Sequence, residues 1–193
     1  MSIVNIKPLT SDLIPDLETL FETSLETKRC SCMWFIIPVK QYQADGPAGN
    51  RQSFFKLMGT DPYPLGLLAY LDDKPVGWCA VGPRSRYARA IKTPTYKGRD
   101  KELDDDVWLI PCFYVHKDAR GRRITEKMLE QAVQLAEANG ATAVDGFPFA
   151  GSKRQSKGDV QVGFEPLFAS CDFETIRTPS AKRIVMRKTF SKS

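Results

Sequence analysis

Three arginines lie close together just before the longest amphipathic segment of the sequence. Arg120, Arg122 and Arg123 flank Gly121, and an apolar pattern with helical spacing begins at Ile124. The first amides of a helix are unpaired and carry a partial positive charge, so a phosphate bound there gains several hydrogen bonds. Guanidinium groups add charge and paired donors. The segment therefore predicts a diphosphate site, with a solvated turn of clustered charges as the alternative interpretation.

The elements on either side of this segment have the clearest patterns in the sequence. Val107–Val115 is a continuous apolar run, which is typical of a central strand covered on both faces. Its Pro111 cannot donate a ladder hydrogen bond and so indicates a bulge or a strand that leaves its neighbour. Residues 122–139 have helical spacing and end at Gly140, a left-handed stop. Residues 141–147 form the next predicted strand.

The rest of the chain contains shorter apolar segments separated by turn residues. Residues 65–71 and 75–81 flank a polar turn and predict a β-hairpin. The remaining predicted elements are helices at 11–27, 50–58 and 164–171 and a closing strand pair at 173–176 and 183–189. No linker rich in Pro, Gly and Ser divides the chain, so residues 1–193 are expected to form a single domain.

Composition limits the class of protein. The chain has 193 residues, of which 42% are hydrophobic and 26% charged, with a formal net charge of +5. This composition supports an apolar core without disulfide or metal staples and excludes a disordered chain. The five cysteines lack the spacing of a disulfide framework and follow no apolar leader, so a cytoplasmic protein is expected. No apolar stretch is long enough to span a membrane.

Several kinds of partner are not expected from the sequence. Cys30, Cys32 and the single His116 make an incomplete zinc ligand set, so no metal is expected. The basic residues after Glu174 have no interleaved aromatic platform or reading helix, which disfavours nucleic acid as a partner. A membrane is not an expected partner either. The oligomeric state stays open, with a homodimer among the alternatives.

The order of strand, short connection, arginine-rich helix start and following strand resembles the GNAT superfamily of acyl-CoA-dependent N-acetyltransferases. The family signature at this place is Gln/Arg-x-x-Gly-x-Gly/Ala. Arg120 fits its first position, whereas Arg123 and Thr125 stand where the family has glycine and glycine or alanine. The resemblance is strongest over residues 107–147. It implies an α/β (α+β) fold with a mixed, mostly antiparallel sheet of six to seven strands and about four helices.

The resemblance also implies acetyl-CoA as the cosubstrate. In GNAT enzymes the strand before the diphosphate loop splays from its parallel neighbour, and its free backbone groups bind pantetheine. Here the two strands correspond to residues 108–115 and 143–147. The predicted cofactor contacts are the main chain of Phe113, Tyr114 and Val115, together with the helix start made by Arg120, Gly121, Arg122, Arg123, Ile124 and Thr125.

The expected reaction is direct attack by a bound amine, which needs a neutral nucleophile, an oxyanion donor and an acid for the departing thiolate. The tyrosine that many family members use as the acid is replaced here by Phe168. Tyr114 is a substitute candidate, and Asp145 is a candidate base or amine anchor. Each has a structural alternative, as a tethered core tyrosine or an exposed-face carboxylate. Cys112, in a buried strand, is expected to be inert.

The acceptor is expected to be a small-molecule or peptide amine. Cys32, Trp34 and Trp78 are predicted to line its pocket, because the connection after the first helix overhangs the acceptor in GNAT folds. The alternative is that these three side chains are ordinary core residues. The missing tyrosine and the altered glycine also leave a second hypothesis open, a catalytically weak or inactive GNAT-like module that binds CoA.

Overall fold

The computed structural model describes residues 3–151 and 159–191, and these contain one seven-stranded sheet. Its strands are β1 (Val4–Pro8), β2 (Gly66–Leu71), β3 (Lys74–Pro83), β4 (Val107–Val115), β5 (Ala143–Gly146), β6 (Glu174–Ser180) and β7 (Arg183–Thr189). The strand order is β1-β2-β3-β4-β5-β7-β6. Only β4 and β5 pair in parallel. The predicted mixed, mostly antiparallel sheet of six to seven strands is confirmed.

Five α-helices accompany the sheet in the described residues, against the four or so that were expected. They are α1 (Ile14–Phe21), α2 (Leu25–Cys30), α3 (Val39–Thr60), α4 (Ile124–Ala138) and α5 (Glu165–Ala169). Short 3-10 turns fill much of the connection between β3 and β4. None of the helices described is both long enough and apolar enough to cross a membrane.

Alternating side chains of the strands separate two layers of helices. In β2, Leu67 and Ala69 join the core cluster that contains α4, whereas Leu68 and Tyr70 join the cluster that contains α1 and α3. Successive strand residues point to opposite faces, so these two groups of helices lie on opposite faces of the sheet. A third cluster packs the turns of the β3–β4 connection beside α1 and α3, on the face that carries Leu109 of β4.

The first third of the chain differs from its predicted pattern. The helix expected over 11–27 is interrupted, because Ser24 is extended and its hydroxyl accepts a hydrogen bond from the Thr27 amide (3.2 Å) to begin α2. The helix expected over 50–58 begins earlier, at Val39, and bends at Gly46, where φ is +61°. Strand β1 was not predicted, because only alternate residues of this half-exposed edge strand contact the core.

The parallel pairing of β4 with β5 is short. It runs from Val107 opposite Ala143 to Ile110 opposite Gly146, and it ends immediately before Pro111. At the other edge of β4, the register with β3 shifts between Ala80 and Gly82, so the bulge lies at the same place. The prediction that Pro111 marks a bulge and a departing strand is confirmed.

Candidate functional site

Beyond Pro111, the edge of β4 that faced β5 has no strand partner among the described residues; the 3-10 turn Asp159–Val162 lies near this part of β4, with Gln161 Oε1 3.9 Å from Cys112 Sγ. We call this edge of β4 open in that sense. Strand β3 continues to pair with the other edge, with Cys79 opposite Phe113 and Gly77 opposite Val115. Among the residues described, no strand continues the ladder on the side that faced β5. The predicted main-chain contacts Phe113, Tyr114 and Val115 lie in this segment. Backbone groups at such an edge are available to a ligand that can form amide hydrogen bonds.

The helix that follows begins without a cap. Arg123 is the N-cap residue of α4, and its side chain accepts no capping hydrogen bond. Within the described part of the chain, the backbone amides of 121–126 donate no hydrogen bond, whereas the Lys127 amide donates to Arg123 O (3.1 Å). Gly121 and Arg123 both have positive φ, at +77° and +58°. Unpaired amides at the start of a helix commonly bind phosphate and other anions in proteins.

The three arginines of this segment have different environments. Arg120 donates through Nε to Val115 O (3.1 Å), which ties the loop to the end of β4. Arg123 donates two hydrogen bonds of 2.6 Å to Glu126, and this pairing lowers the pKa of Glu126. Arg122 is exposed and has no ion pair among the described residues. Of the three side chains, the Arg122 guanidinium is therefore the most available to bind an anion. Arg123 can contribute its backbone amide instead.

Ile124 and Thr125 complete the predicted helix start. Ile124 is 2% exposed and packs in the core, so only its backbone amide can face a ligand. Thr125 is half-buried in the first turn of α4. The structure thus brings all six residues of the predicted segment, 120–125, to one short loop and helix start beside the open end of β4.

Tyr114 lies at that open end and has a polar partner. Its hydroxyl is 2.8 Å from Thr23 Oγ1, and the Thr23 hydroxyl donates to Leu20 O (2.6 Å). Because the Thr23 proton is used in that bond, the Tyr114 hydroxyl is the donor to Thr23. The phenol is half-buried. The hydrogen bond to Thr23 keeps its hydroxyl near the edge of β4.

Asp145 occupies a different place from Tyr114. The Asp145 carboxylate is fully buried and accepts hydrogen bonds from Arg187 (2.7 and 3.0 Å) and Arg84 (3.2 Å). It lies opposite Leu109, in the paired part of the β4–β5 ladder. Tyr114 is five residues farther along β4, roughly 16 Å at the strand rise. The structure therefore does not bring the two predicted catalytic residues together, and the bonds to Arg187 and Arg84 disfavour Asp145 as a free base.

The three predicted acceptor residues are also divided. Trp78 donates through Nε1 to Cys32 Sγ (3.1 Å), and both side chains are buried in the α1–α3 core cluster. Trp34 is 39% exposed, and the Arg89 guanidinium lies 3.4 Å from the centre of its ring. This arrangement favours a core role for Cys32 and Trp78 and leaves Trp34 as the member that can meet a ligand.

The five cysteine thiols do not share one environment. Hydrogen bonds with Cys112 and Trp78 lower the pKa of the buried Cys32 thiol, whereas the other four cysteines have raised pKa values. The pKa of Cys112 lies well above its usual value because of its hydrogen bond with Cys32 and its burial, as expected for an inert thiol. In residues 3–151 and 159–191, no group of three or more His, Cys, Asp and Glu side chains is arranged to hold a metal ion.

Sequence reasoning named Asp145 but missed the polar residues that gather around it. Arg84, Tyr96, Asp145 and Arg187 line a cavity beneath the β3–β4 connection. The available signal was the basic character of that connection, which carries six Arg and Lys residues between positions 84 and 99. Its partners in β5 and β7 are far away in sequence, so no local pattern links them.

Comparison with known proteins agrees with the fold. The model of the acetyltransferase (GNAT) family matches residues 32–147, more than half of the chain and the region of the splayed strands and the uncapped helix. The fold and site define an acyltransferase domain. The chain belongs to the GNAT acetyltransferase family. A search of curated proteins found no match.

Solved structures with the same fold are distant in sequence. A ribosomal-protein-alanine N-acetyltransferase from Brucella melitensis is 16% identical, with 96% of this chain and 99% of that chain covered and a TM-score of 0.56. An N-acetyltransferase from Staphylococcus aureus is 11% identical over 97% and 99%, with a TM-score of 0.58. The PaiA N-acetyltransferase from Thermoplasma acidophilum, solved with coenzyme A, is 15% identical over 97% and 99%, with a TM-score of 0.54. These similarities concern the fold alone.

Proposed function

We propose that this protein transfers an acetyl group from acetyl-CoA directly to an amine. One observation carries the proposal: the unpaired amides of 121–126 at the start of α4 lie next to the open edge of β4. A ligand with a diphosphate at one end and amides along its length matches this pair of features. The coenzyme A bound to the Thermoplasma relative has that chemistry.

In this proposal each feature holds one part of the cosubstrate. The amides from Gly121 to Thr125 donate to the diphosphate, and Arg120 and Arg122 supply positive charge beside it. The main chain of Phe113, Tyr114 and Val115 pairs with the pantetheine amides along the open edge. Arg123 has the backbone conformation that glycine adopts without steric cost, and its side chain turns toward Glu126. A non-glycine residue there therefore still permits the anion to approach.

Acetyl-CoA supplies an acetyl group activated as a thioester. In the transfer, the amine nitrogen forms a bond to the carbonyl carbon and loses a proton to solvent, the carbon–sulfur bond breaks, and the thiolate takes up a proton from the acid, which solvent then reprotonates. Tyr114 is the proposed acid, because its hydroxyl lies beside the open strand edge and is oriented by Thr23. A backbone amide of β4 is the proposed oxyanion donor. Asp145 acts indirectly, by fixing Arg84 and Arg187 under the strand.

A CoA-binding module without turnover is the second candidate. Phe168, which stands at the usual place of the family's tyrosine, is fully buried and packs edge-on against Phe113 and Phe173. It offers no hydroxyl, which is the observation that favours this alternative. The two candidates share the cofactor site and differ only in whether Tyr114 can replace the missing acid.

The proposal also covers the domain organisation, the partners and the cell compartment. Residues 1–193 act as a single domain on a small-molecule or peptide amine, with neither nucleic acid nor a membrane as partner. All five cysteines are free thiols, which suits a reducing compartment such as the cytoplasm.

The test is calorimetric titration with CoA and acetyl-CoA, followed by thiol release with a panel of amines. We expect CoA to bind and Arg122→Ala to weaken binding about tenfold, the usual effect of losing one charge-assisted contact. Arg29→Ala, which removes another exposed arginine on α2, is the matched control. No binding of CoA would overturn the proposal. Binding without thiol release from any amine would favour the non-catalytic module.

A further inference from the structure

A cavity of about 250 Å³ lies between the β3–β4 connection and strands β5, β6 and β7. It is on the face of the sheet opposite α4, since Asp145 in its wall alternates with Val144, which packs in the α4 cluster. The polar side chains that line it are Arg84, Tyr96, Arg99, Asp100, Asp145, Arg177 and Arg187. The cavity is therefore separate from the cofactor site proposed above.

Ion pairs fix most of this wall. Arg84 bridges two carboxylates, Asp145 (3.2 Å) and Asp104 (3.1 Å). Arg187 donates twice to Asp145, and Arg99 donates to both oxygens of Asp104. Groups held by several partners lose little freedom when a ligand arrives, so the wall is already organised for binding.

Two polar atoms in this wall have no partner among the described residues. They are the Tyr96 hydroxyl and Arg84 Nε, on side chains that are 2% and 1% exposed. Buried polar groups are nearly always hydrogen-bonded, and an unsatisfied one calls for an explanation. Burial raises the pKa of Tyr96 well above its usual value, and Arg84 and Arg187 oppose that rise. The Tyr96 hydroxyl is therefore a protonated donor close to both guanidinium groups.

The charges of the cavity do not balance. Arg177 lines it and makes one hydrogen bond, to Thr95 O (3.5 Å), with no carboxylate partner in the part of the chain that the structure describes. Four guanidinium groups and two carboxylates, those of Asp100 and Asp145, line the cavity. Asp104 lies behind the wall and pairs with Arg84 and Arg99, so the four guanidinium groups are matched by three carboxylates in all. The excess of one positive charge and the two unused donors match a monoanion with two oxygen atoms.

We propose that this cavity binds the carboxylate of a small organic acid. The carboxylate oxygens accept from the Tyr96 hydroxyl and from Arg84 and Arg177, and they neutralise the surplus charge. A phosphate dianion fits less well, because it would leave the cavity with a negative excess. Binding here does not depend on the cofactor site.

The cavity lies beside the end of the pairing between β4 and β5. The ring of Tyr96 packs edge-on against Phe147 (5.9 Å), and Phe147 follows Gly146, the last residue of β5 that pairs with β4. Asp145 in the cavity wall is roughly 16 Å along the sheet from Tyr114. The carboxylate therefore belongs either to a long acceptor whose amine extends to the thioester, an interpretation that rests on the proposed function, or to an effector that does not react. The shared chemistry is the carboxylate, and the experiment below separates the two sources.

The binding test uses the intact protein and titrates sodium acetate at constant ionic strength, with thermal unfolding and calorimetry as readouts. Acetate is expected to raise the midpoint in a saturable manner, whereas acetamide and chloride do not. Tyr96→Phe and Arg177→Gln should each weaken acetate binding at least tenfold. The matched control is Tyr87→Phe, because the Tyr87 hydroxyl is equally buried and unpartnered but Tyr87 does not line this cavity.

Three results would overturn the proposal: acetate acting no better than chloride, equal effects of Tyr96→Phe and Tyr87→Phe, or tighter binding of inorganic phosphate than of acetate. The source of the carboxylate is read from thiol release with penta-alanine, which spans roughly 16–18 Å when extended, and with its C-terminal amide. Release with penta-alanine but not with its amide assigns the site to the acceptor, and equal release with both, or binding without release, assigns it to an effector. If CoA fails to bind, the proposed function is lost while the acetate titration still decides this proposal.

Discussion

The Tyr114 hydroxyl lies 2.8 Å from Thr23 Oγ1 and so connects the free end of β4 to the end of α1. This contact holds the phenol at the strand edge where the thioester is proposed to lie. It keeps the ring where rotation of the hydroxyl about its C–O bond turns the proton from Thr23 toward the thiolate, which is what a general acid in this position requires.

Tyr114→Phe removes this hydroxyl and keeps the ring. We expect kcat for thiol release to fall by about 10²-fold, the lower range for loss of a general acid, while calorimetric CoA affinity stays unchanged. Tyr63→Phe is the control, since Tyr63 packs edge-on against Trp108 (5.1 Å) in the earlier part of β4. Unchanged kcat in Tyr114→Phe would remove Tyr114 from the mechanism.

Arg123→Gly tests whether the arginine in the motif position obstructs or serves the cofactor. Residue 123 has φ of +58°, which glycine adopts freely, and the lost pair with Glu126 is exposed and contributes little. We therefore expect CoA affinity to stay within about threefold of the parent, because the amide at this position is retained. A loss comparable with that of Arg122→Ala would show that the Arg123 guanidinium itself contacts the anion.

The sequence predicted the elements whose signals are local. Three predictions depend on one short segment each: the apolar run of β4, the Pro111 bulge and the helical spacing of α4. Because no distant residue is needed to form these features, the local pattern was sufficient and the structure agrees with it. The interruption of the first helix at Ser24 and the half-exposed strand β1 depend on contacts elsewhere in the fold. Their local patterns were therefore misleading or weak.

One part of the candidate site could be predicted from the sequence and another part could not. The start of α4 was predictable because its arginines and its strand and helix are contiguous. The arginine cavity was not, since Arg84 and Asp145 are 61 positions apart and Asp145 and Arg187 are 42 apart. The register of β5 with β7 sets Asp145 opposite Arg187, and the β3–β4 connection brings Arg84 to the same carboxylate.

Asp145→Asn tests the buried ion pairs. The substitution leaves Arg84 and Arg187 without their shared carboxylate, and removal of one member of a buried pair costs about 3–5 kcal/mol. Urea unfolding should show this loss. Asp172→Asn removes an exposed pair with Lys188 and should change stability by less than about 1 kcal/mol. Similar stability of the two variants would contradict the structural role assigned to Asp145.

The Cys30 thiol should react slowly in the native protein. Burial raises the pKa of Cys30 to about 11, so roughly one molecule in a thousand carries its thiolate at pH 8. Alkylation by iodoacetamide, followed by mass spectrometry, should modify Cys30 about tenfold faster for each pH unit up to pH 10. Equally fast modification of Cys30 at pH 7 and pH 10 would contradict its raised pKa, and rapid modification of Cys112 at pH 7 in the folded protein would reopen a covalent acyl-enzyme mechanism.

The most direct measurement of the central claim is amide hydrogen exchange with and without CoA. Because the amides of 121–126 are unpaired in the free protein, they should exchange rapidly and become protected on binding, together with amides on the open edge of 113–115. Protection in both segments is the predicted result. Binding that leaves 121–126 unprotected and slows exchange elsewhere would contradict the account.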